Sequence, residues 1–289
     1  MDLGLALEII DKISSEKVSN SVCWLQLHVL GEPMMHPHLF QIIKYAEGKK
    51  VPIYLNTNGS FLTPDNLKKL WDSKLTCLVI SYQTPDERRF QHRNSKEMGF
   101  TTYREMIFNA LEDKIKNNTK TRINLHLLNT KQHQPNGVCV IDDNQEAKEI
   151  FYDLLKFSNG LKKKYQLNFN WRPLSSEVNL DRLLDGPEDV LEFLPGVNLV
   201  LKRAGSWESA YNGNRKLIKT ACNTPFEQLV IYWDGECGLC CIDYDNEIKI
   251  GNIKGKTISE IWLGEKAKKI RSGFIKGKAI NSRCKRCLA

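Results

Sequence analysis

Leu3, Leu7, Ile10 and Ile13 recur near a 3.6-residue period, which predicts an amphipathic helix over residues 3–17. The next apolar runs differ in kind. CWLQLHVL (23–30), VPIYLNTN (51–58), TCLVISYQ (76–83), TRINLHLLN (121–129) and YQLNFNWRPL (165–174) are short and predict strands. Helix signals lie between them. HPHLFQIIKYAEG places Pro37 at a first helical position and Gly48 past the end. Thr63 and Pro64 read as N-cap and first residue of the next helix, and TPDE at 84–87 repeats the device, with Glu87 three residues on. Further helices are expected near 103–117 and 144–158.

Strand–helix alternation at about 26-residue spacing implies right-handed crossovers and a parallel sheet, open or closing into a barrel. Ligands of such sheets sit at the carboxyl ends of the strands. Here that edge carries LGEPMMHP, NTNGS and SYQTP, the candidate pocket. The opening helix is unusual, because a parallel α/β sheet normally opens on a strand. A strand is therefore expected beside residues 24–29, supplied either by another element or by sequence preceding Met1.

Residues 175–215 read as a connector with DGPED and LPGVN turns and a strand at VNLVLKR. From Lys216 the pattern changes to short strands, FEQLVIYW (226–233) and EIKIGNI (247–253), joined by a cysteine-rich turn. In WDGE, Asp-Gly is expected to supply positive φ angles for a hairpin. One helix should follow, with Thr257 and Glu260 as a capping box, Ile261, Trp262 and Ile270 on one face and Gly273 at its end. The expected division is 1–174, 175–215 and 216–289.

Composition adds limits. The 289 residues are 41% hydrophobic and 26% charged, ordinary for a soluble chain, and no apolar run approaches the ~20 residues of a membrane span. The N-terminus lacks a basic region and a cleavage site, so a cytoplasmic protein without membrane partners is expected. Net charge is +8, yet residues 252–289 alone hold eleven Lys/Arg against two acids. A basic stretch attracts acidic partners or nucleic acid, or solvates an anionic metal centre. Only Trp262 and Phe274 interleave it, so no stacking platform for single strands is visible, and nucleic acid is not the expected partner.

Nine cysteines, an odd count, point in a reducing compartment to metal or redox use rather than a disulfide framework. Cys23, Cys77 and Cys139 lie in or beside apolar runs and read as small core residues. The others cluster in the C-terminal unit. Cys237-x2-Cys240 with Cys284-x2-Cys287 has the form of a zinc ribbon, although the intervening 43 residues far exceed the usual ~15–20. Cys222, Cys240, Cys284 and Cys287 form a second set. Thiolates suit zinc and iron–sulfur clusters alike. A redox dithiol at CGLC is a third option, without a thioredoxin-like βαβ context. His36 and His38 flank Pro37 and read as a helix-start pair rather than metal ligands.

The segment CNTPFEQLVIYWDGECGLCCIDYDNEIKIGNIKGKTISEIW…CKRC resembles the auxiliary-cluster domain of radical S-adenosylmethionine (SAM) enzymes, the SPASM/twitch type. Cys222, twelve residues, Gly235, four residues, Cys240, the CCxD, the GN, the EIW helix and the final CxxC agree in order and spacing. The resemblance selects the second cysteine set as ligands and implies one [4Fe–4S] auxiliary cluster, as in twitch domains.

The first two-thirds resembles the partial (β/α)6 barrel of the same superfamily. The implied fold is α/β: a partial TIM-like barrel missing its first strand, plus a small C-terminal α+β iron–sulfur domain. LGEPMMHP is similar to the family's Gly-Gly-Glu-Pro segment, which implies that Gly31, Glu32 and Pro33 hold the methionyl amino group of SAM, with Leu30 where the first glycine is usual. By the same resemblance Thr57 and Asn58 of TNG close the next strand, and Ser81 contacts the SAM carboxylate or ribose. A zwitterion needs a carboxylate for its ammonium and a donor for its own carboxylate.

One departure is plain. The superfamily's CxxxCxxC, which holds the cluster that reduces SAM, is absent from these 289 residues. The resemblance implies a parent activity of reductive SAM cleavage to a 5′-deoxyadenosyl radical and hydrogen abstraction from a peptide or small-molecule substrate. The auxiliary cluster and an electron donor would make the net change an oxidation. The chain as given is expected to be inactive, with a second [4Fe–4S] cluster only if a preceding segment supplies the motif. Two alternatives stand beside this: a non-catalytic protein keeping a SAM-like pocket, and a zinc-stabilised module with a basic tail.

Overall fold

Cys77–Ile80, four successive buried residues, lies in an interior strand of the larger sheet, covered on both faces as an interior parallel strand must be. The computed structural model describes residues 1–15, 24–132, 134, 138–174, 178–204 and 222–288. Cys23 and residues 205–221 lie outside the described residues. Two compact units are formed, one from 1–31, 44–52 and 206–289, the other from 32–43 and 53–205.

In the second unit, β2 (Ile53–Thr57), β3 (Cys77–Gln83) and β4 (Arg122–Asn129) run parallel in that order. Their crossovers hold α3 (Pro64–Asp72), α4 (Glu87–Phe90) and α5 (Phe100–Lys116). Strand β4 alternates strictly: Ile123, Leu125 and Leu127 are buried, whereas Asn124, His126 and Leu128 are half-buried on the other face. Helices α5 and α6 (Asn144–Lys164) carry apolar stripes at helical spacing, Tyr103–Ile107–Ala110–Leu111 and Ala147–Phe151–Leu154–Leu161. The result is a mixed α/β fold with a parallel sheet; among the described residues the sheet does not close into a barrel.

The structure corrects several expected elements. The partner beside β4 is β7 (Val197–Arg203), parallel and in register from Ile123↔Val197 to Asn129↔Arg203. Residues 165–174 supply only β5 (Arg172–Pro173), antiparallel to β6 (Asp189–Leu194), which itself pairs antiparallel with β7. The cause is local: Leu-Pro-Gly-Val forms a two-residue turn, with Gly196 at φ 67°, that folds β6 onto β7. Pro173, which has no N–H to donate, stays at the sheet's margin. Asp86, not Thr84, caps α4, accepting from Arg89 N at 2.8 Å. Thr63 does cap α3, with Pro64 as its first residue. Helix α2 (Leu39–Gly48) starts after Pro37 and includes Gly48.

In the first unit, strand β1 is only Leu25–Gln26. A three-stranded antiparallel sheet comprises β8 (Val230–Ile231), β9 (Glu236–Gly238) and β10 (Gly251–Asn252), after the short helix α7 (Thr224–Glu227) that replaces the start of an expected strand. At the WDGE turn only Gly235 has a positive φ, 90°; its N–H closes on Tyr232 O at 3.0 Å, so glycine occupies the bulge position after the turn. The expected single C-terminal helix is two, α8 (Ile258–Trp262) and α9 (Glu265–Ile275), broken at Gly264; the Thr257–Glu260 capping box is present and Gly273 lies inside α9. Helix α10 (Ser282–Leu288) carries the last cysteines. Helix α1 (Leu3–Ser15) packs into this core: Leu5 and Ile9 join Leu239, Ile250, Ile253, Ile261 and Ile270. Lys12 Nζ donates to Ile253 O and Lys256 O, each at 2.7 Å. Among the described residues no helix is long and apolar enough to cross a membrane.

Candidate functional site

The carboxyl end of β2 closes on one carboxylate. Glu32 precedes a 3-10 turn (Pro33–Met35) and accepts from Met34 N at 3.0 Å. Thr57, the last residue of β2 and 2% exposed, donates its hydroxyl to Glu32 Oε1 at 2.7 Å, and Asn58 N donates to Oε2 at 2.7 Å. Thr57 Oγ1 in turn accepts from Gly59 N at 3.1 Å, and Asn58 Oδ1 accepts from Ser60 N at 2.8 Å. Gly59 has φ 87°, and a Cβ there would lie 3.2 Å from the Ile107 side chain, so the turn needs glycine for conformation and space alike. Gly31, with φ 85°, lets the chain turn immediately before Glu32. His38 N donates to His36 Nδ1 at 3.2 Å, so this histidine pair helps form the entry to α2.

Ser81 sits where the β3–β4 register shifts between Ile80 and Gln83, and Gln83 takes a left-handed φ of 46°. Such bulges re-aim a strand beside functional sites. The Tyr103 hydroxyl donates to Asn58 O at 2.9 Å and to Ser81 O at 3.1 Å, tying the two strand ends together. The Arg93 guanidinium donates to the Ser81 carbonyl, to Tyr82 O at 2.9 Å and to Thr84 Oγ1 at 2.9 Å, and lies 4.6 Å from the Tyr103 ring centroid. Burial pushes the Arg93 pKa down, raises Tyr82 to about 12 and raises Tyr103 further. Arg93 makes no ion pair with a carboxylate among the described residues. A half-buried cation without a counter-charge marks a place where an anion gains most. Sequence reasoning missed Arg93 and Tyr103; three arginines occur between 88 and 93, and only the fold separates Arg93 from Arg89, which is taken by Asp86 and Glu146.

The cysteines of the first unit divide by position. Cys222, Cys240, Cys284 and Cys287 line one cavity, walled otherwise by Thr224, Pro225, Leu239, Ile242, Ile248, Ile270, Phe274 and Arg283. Cys237 does not line it; its thiol faces Gly235 O at 3.5 Å, and Cys241 is exposed. Burial pushes the Cys284 thiol up to about 12, followed by the nearness of Cys240, Cys222 and Cys287. Cys240 rises to about 11, first by burial, with Cys241, Cys287 and Cys222 adding to it. Thiols crowded in an apolar wall resist ionisation until a metal supplies positive charge. Among the described residues no three His, Cys, Asp or Glu side chains converge closely enough to hold a single metal ion. Four thiols around a cavity match the demand of an iron–sulfur cluster, whose ligands bind different irons of a cage.

The family model for the radical SAM superfamily matches residues 1–134, and that for SPASM, an iron–sulfur cluster-binding domain, matches residues 222–288. The chain therefore carries a radical SAM domain and a SPASM domain. Those two domains imply iron–sulfur clusters and SAM as cofactors. The chain is 25% identical, over 92% of its length and 73% of the relative's, to the tungsten-containing aldehyde ferredoxin oxidoreductase cofactor-modifying protein of Pyrococcus furiosus. Among solved structures it is similar to BtrN in an open conformation (TM-score 0.51, 14% identity, 100% of this chain and 80% of that one). It is also similar to Streptococcus suis SuiB bound to S-adenosylmethionine (TM-score 0.52, 15% identity, 97% of this chain and 62% of that one). At such identities the two structures speak to the fold.

Proposed function

We propose that this chain binds SAM at the ends of β2 and β3 and holds one [4Fe–4S] cluster on Cys222, Cys240, Cys284 and Cys287. The observation that carries the reading is the sorting of the cysteines: four thiols from three distant segments line one cavity, with Cys237 and Cys241 outside it. In this reading Glu32 takes the SAM ammonium. Its two oxygens offer about four acceptor sites; Met34 N, Thr57 Oγ1 and Asn58 N occupy three, which leaves a site on Oε2. Gly31 and Pro33 shape the backbone around it, Thr57 and Asn58 fix the carboxylate, and Ser81 with Arg93 meets the SAM carboxylate.

When loaded, the clusters of this superfamily supply electrons for SAM cleavage and accept them from substrate. The protein's own part is to bind and orient. The parent activity is a SAM-dependent oxidation of a peptide or small molecule, with an external electron donor, in the cytoplasm. The name of the Pyrococcus relative, a cofactor-modifying protein, supports a small molecule, and the structure of SuiB bound to precursor peptide SuiA supports a peptide. The 289 residues contain no CxxxCxxC, which favours a second reading for the chain taken alone: SAM binding without cleavage.

One experiment tests both. The protein, reconstituted without oxygen with iron and sulfide, is titrated with SAM by calorimetry and then incubated with dithionite. Binding that Glu32→Ala weakens at least tenfold, with no 5′-deoxyadenosine by mass spectrometry, is expected. Equal SAM affinity in both proteins refutes the pocket, and 5′-deoxyadenosine above the Glu32→Ala control refutes the inactive chain.

A further inference from the structure

The surface of the cysteine cavity is apolar, yet one charged residue belongs to its wall. Among the described residues lining it beside the thiols, Arg283 is the one permanent charge. It is 2% exposed and immediately precedes Cys284 in α10. Its Nη2 donates to Ile242 O at 2.7 Å, in the turn that follows Cys240, and its Nε lies 3.6 Å from Asp243 Oδ1. Asp243 is 0% exposed, and its two oxygens accept Glu247 N at 3.0 Å and Ile248 N at 2.8 Å. One guanidinium therefore joins the two segments that bring Cys240 and Cys284 together. Arg283 lines the cavity and Asp243 does not.

A buried cation costs several kcal/mol of desolvation, and apolar residues would pack this wall without it. Its placement has a consequence for any electron carrier in the cavity. A cluster on four thiolates is anionic, and reduction adds one more negative charge. In a low-dielectric wall a nearby fixed cation favours that reduced form, and the charge around a cluster is one determinant of its potential.

We propose that Arg283 is a positioning residue that also sets potential: it clamps the Cys240 turn to the Cys284–Cys287 helix and raises the reduction potential of a cluster held there. The proposal rests on the cluster assignment made above. On that assignment the site is tuned to accept an electron from substrate.

The test uses the full chain, reconstituted anaerobically as wild type, Arg283→Gln, Arg283→Lys and Asp243→Asn. Iron and sulfide content is measured first, then the potential, by redox titration followed by electron paramagnetic resonance. Arg283→Gln keeps an amide donor for Ile242 O but no charge; at a fixed poise its reduced-to-oxidised ratio should fall about tenfold, which is 59 mV for one electron. Arg283→Lys should keep the ratio and lose iron faster to a chelator, because the fork to Ile242 O is gone. Asp243→Asn should move the ratio the opposite way. A merely structural arginine would leave the potentials unmoved. Wild-type protein without iron overturns the cluster assignment and this proposal with it. A wild type and an Arg283→Gln that both load iron and share one potential overturn the proposal alone. If Arg283→Gln takes up no iron, Asp243→Asn decides, and an unchanged or lowered potential there refutes it.

Discussion

The Glu32 carboxylate accepts the backbone N–H of Asn58 at 2.7 Å, joining the turn before α2 to the end of β2 across 26 positions of sequence. The same carboxylate takes the hydroxyl of buried Thr57. Removing it strips three donors of their acceptor at once, because Met34 N also donates to it. Glu32→Ala is expected to cost about 1–3 kcal/mol, the penalty of leaving buried polar groups unsatisfied, measured by urea unfolding. Thr57→Val removes one donor and keeps the carboxylate, so it should lose less SAM affinity than Glu32→Ala. The reverse order would mean that Thr57 itself meets the ligand.

Cys222 and Cys237 separate the two ways of using the C-terminal cysteines. Cys222→Ser should lose most of the bound iron and the brown absorbance near about 400 nm from thiolate-to-iron charge transfer. Cys237→Ala should keep both. Losing a ligand should also expose residues 222–288 to protease, as metal loss loosens small metallo-domains. Colour retained in Cys222→Ser and lost in Cys237→Ala would reassign the ligands, and zinc in place of iron in both would remove the cluster.

Ile9, 4% exposed, packs with Ile253 and Ile261. Ile9→Ala in the full chain should therefore destabilise the C-terminal unit by about 2–5 kcal/mol, as for other large-to-small core changes. Lys12→Met should cost less, because two backbone carbonyls lose a charged donor but little packing is lost. Limited proteolysis followed by mass spectrometry reads the effect on residues 222–288. Unchanged protection in Ile9→Ala would show that α1 does not support that core.

His126 gives the protein an acid-sensitive point. Burial, and then Lys202, lowers its pKa from 6.5 to about 4. Between those values the unfolded chain binds a proton that the folded chain refuses. Stability is therefore full above pH 6.5, falls as pH drops towards 4 and levels off below it, a loss of up to about 3 kcal/mol at ~1.4 kcal/mol per unit. His126→Gln should flatten this part of the stability–pH curve in denaturant titrations. A wild-type slope retained in His126→Gln would assign it to other groups.

Short-range order was legible from residue types alone. The Thr63 cap, the Thr257–Glu260 box and the alternating β4 all depend on neighbours within a few positions, where side-chain geometry leaves little choice. GEP and TNG could be placed on one sheet edge because strand–helix alternation dictates which ends of the strands face together. Tertiary structure decided what depends on pairing across the chain. Residues 165–174 and 197–203 carry similar apolar runs, and only the Pro195–Gly196 turn, by folding β6 back, let β7 take the place beside β4. The amphipathic pattern of α1 stated that one face would be covered, but not by what; Leu5 and Ile9 found their partners near position 250, beyond the reach of any periodicity. Arg93 and Arg283 were two basic residues among 42. Burial singled them out, because a guanidinium enters an apolar wall only where carbonyls or a carboxylate offset its lost hydration.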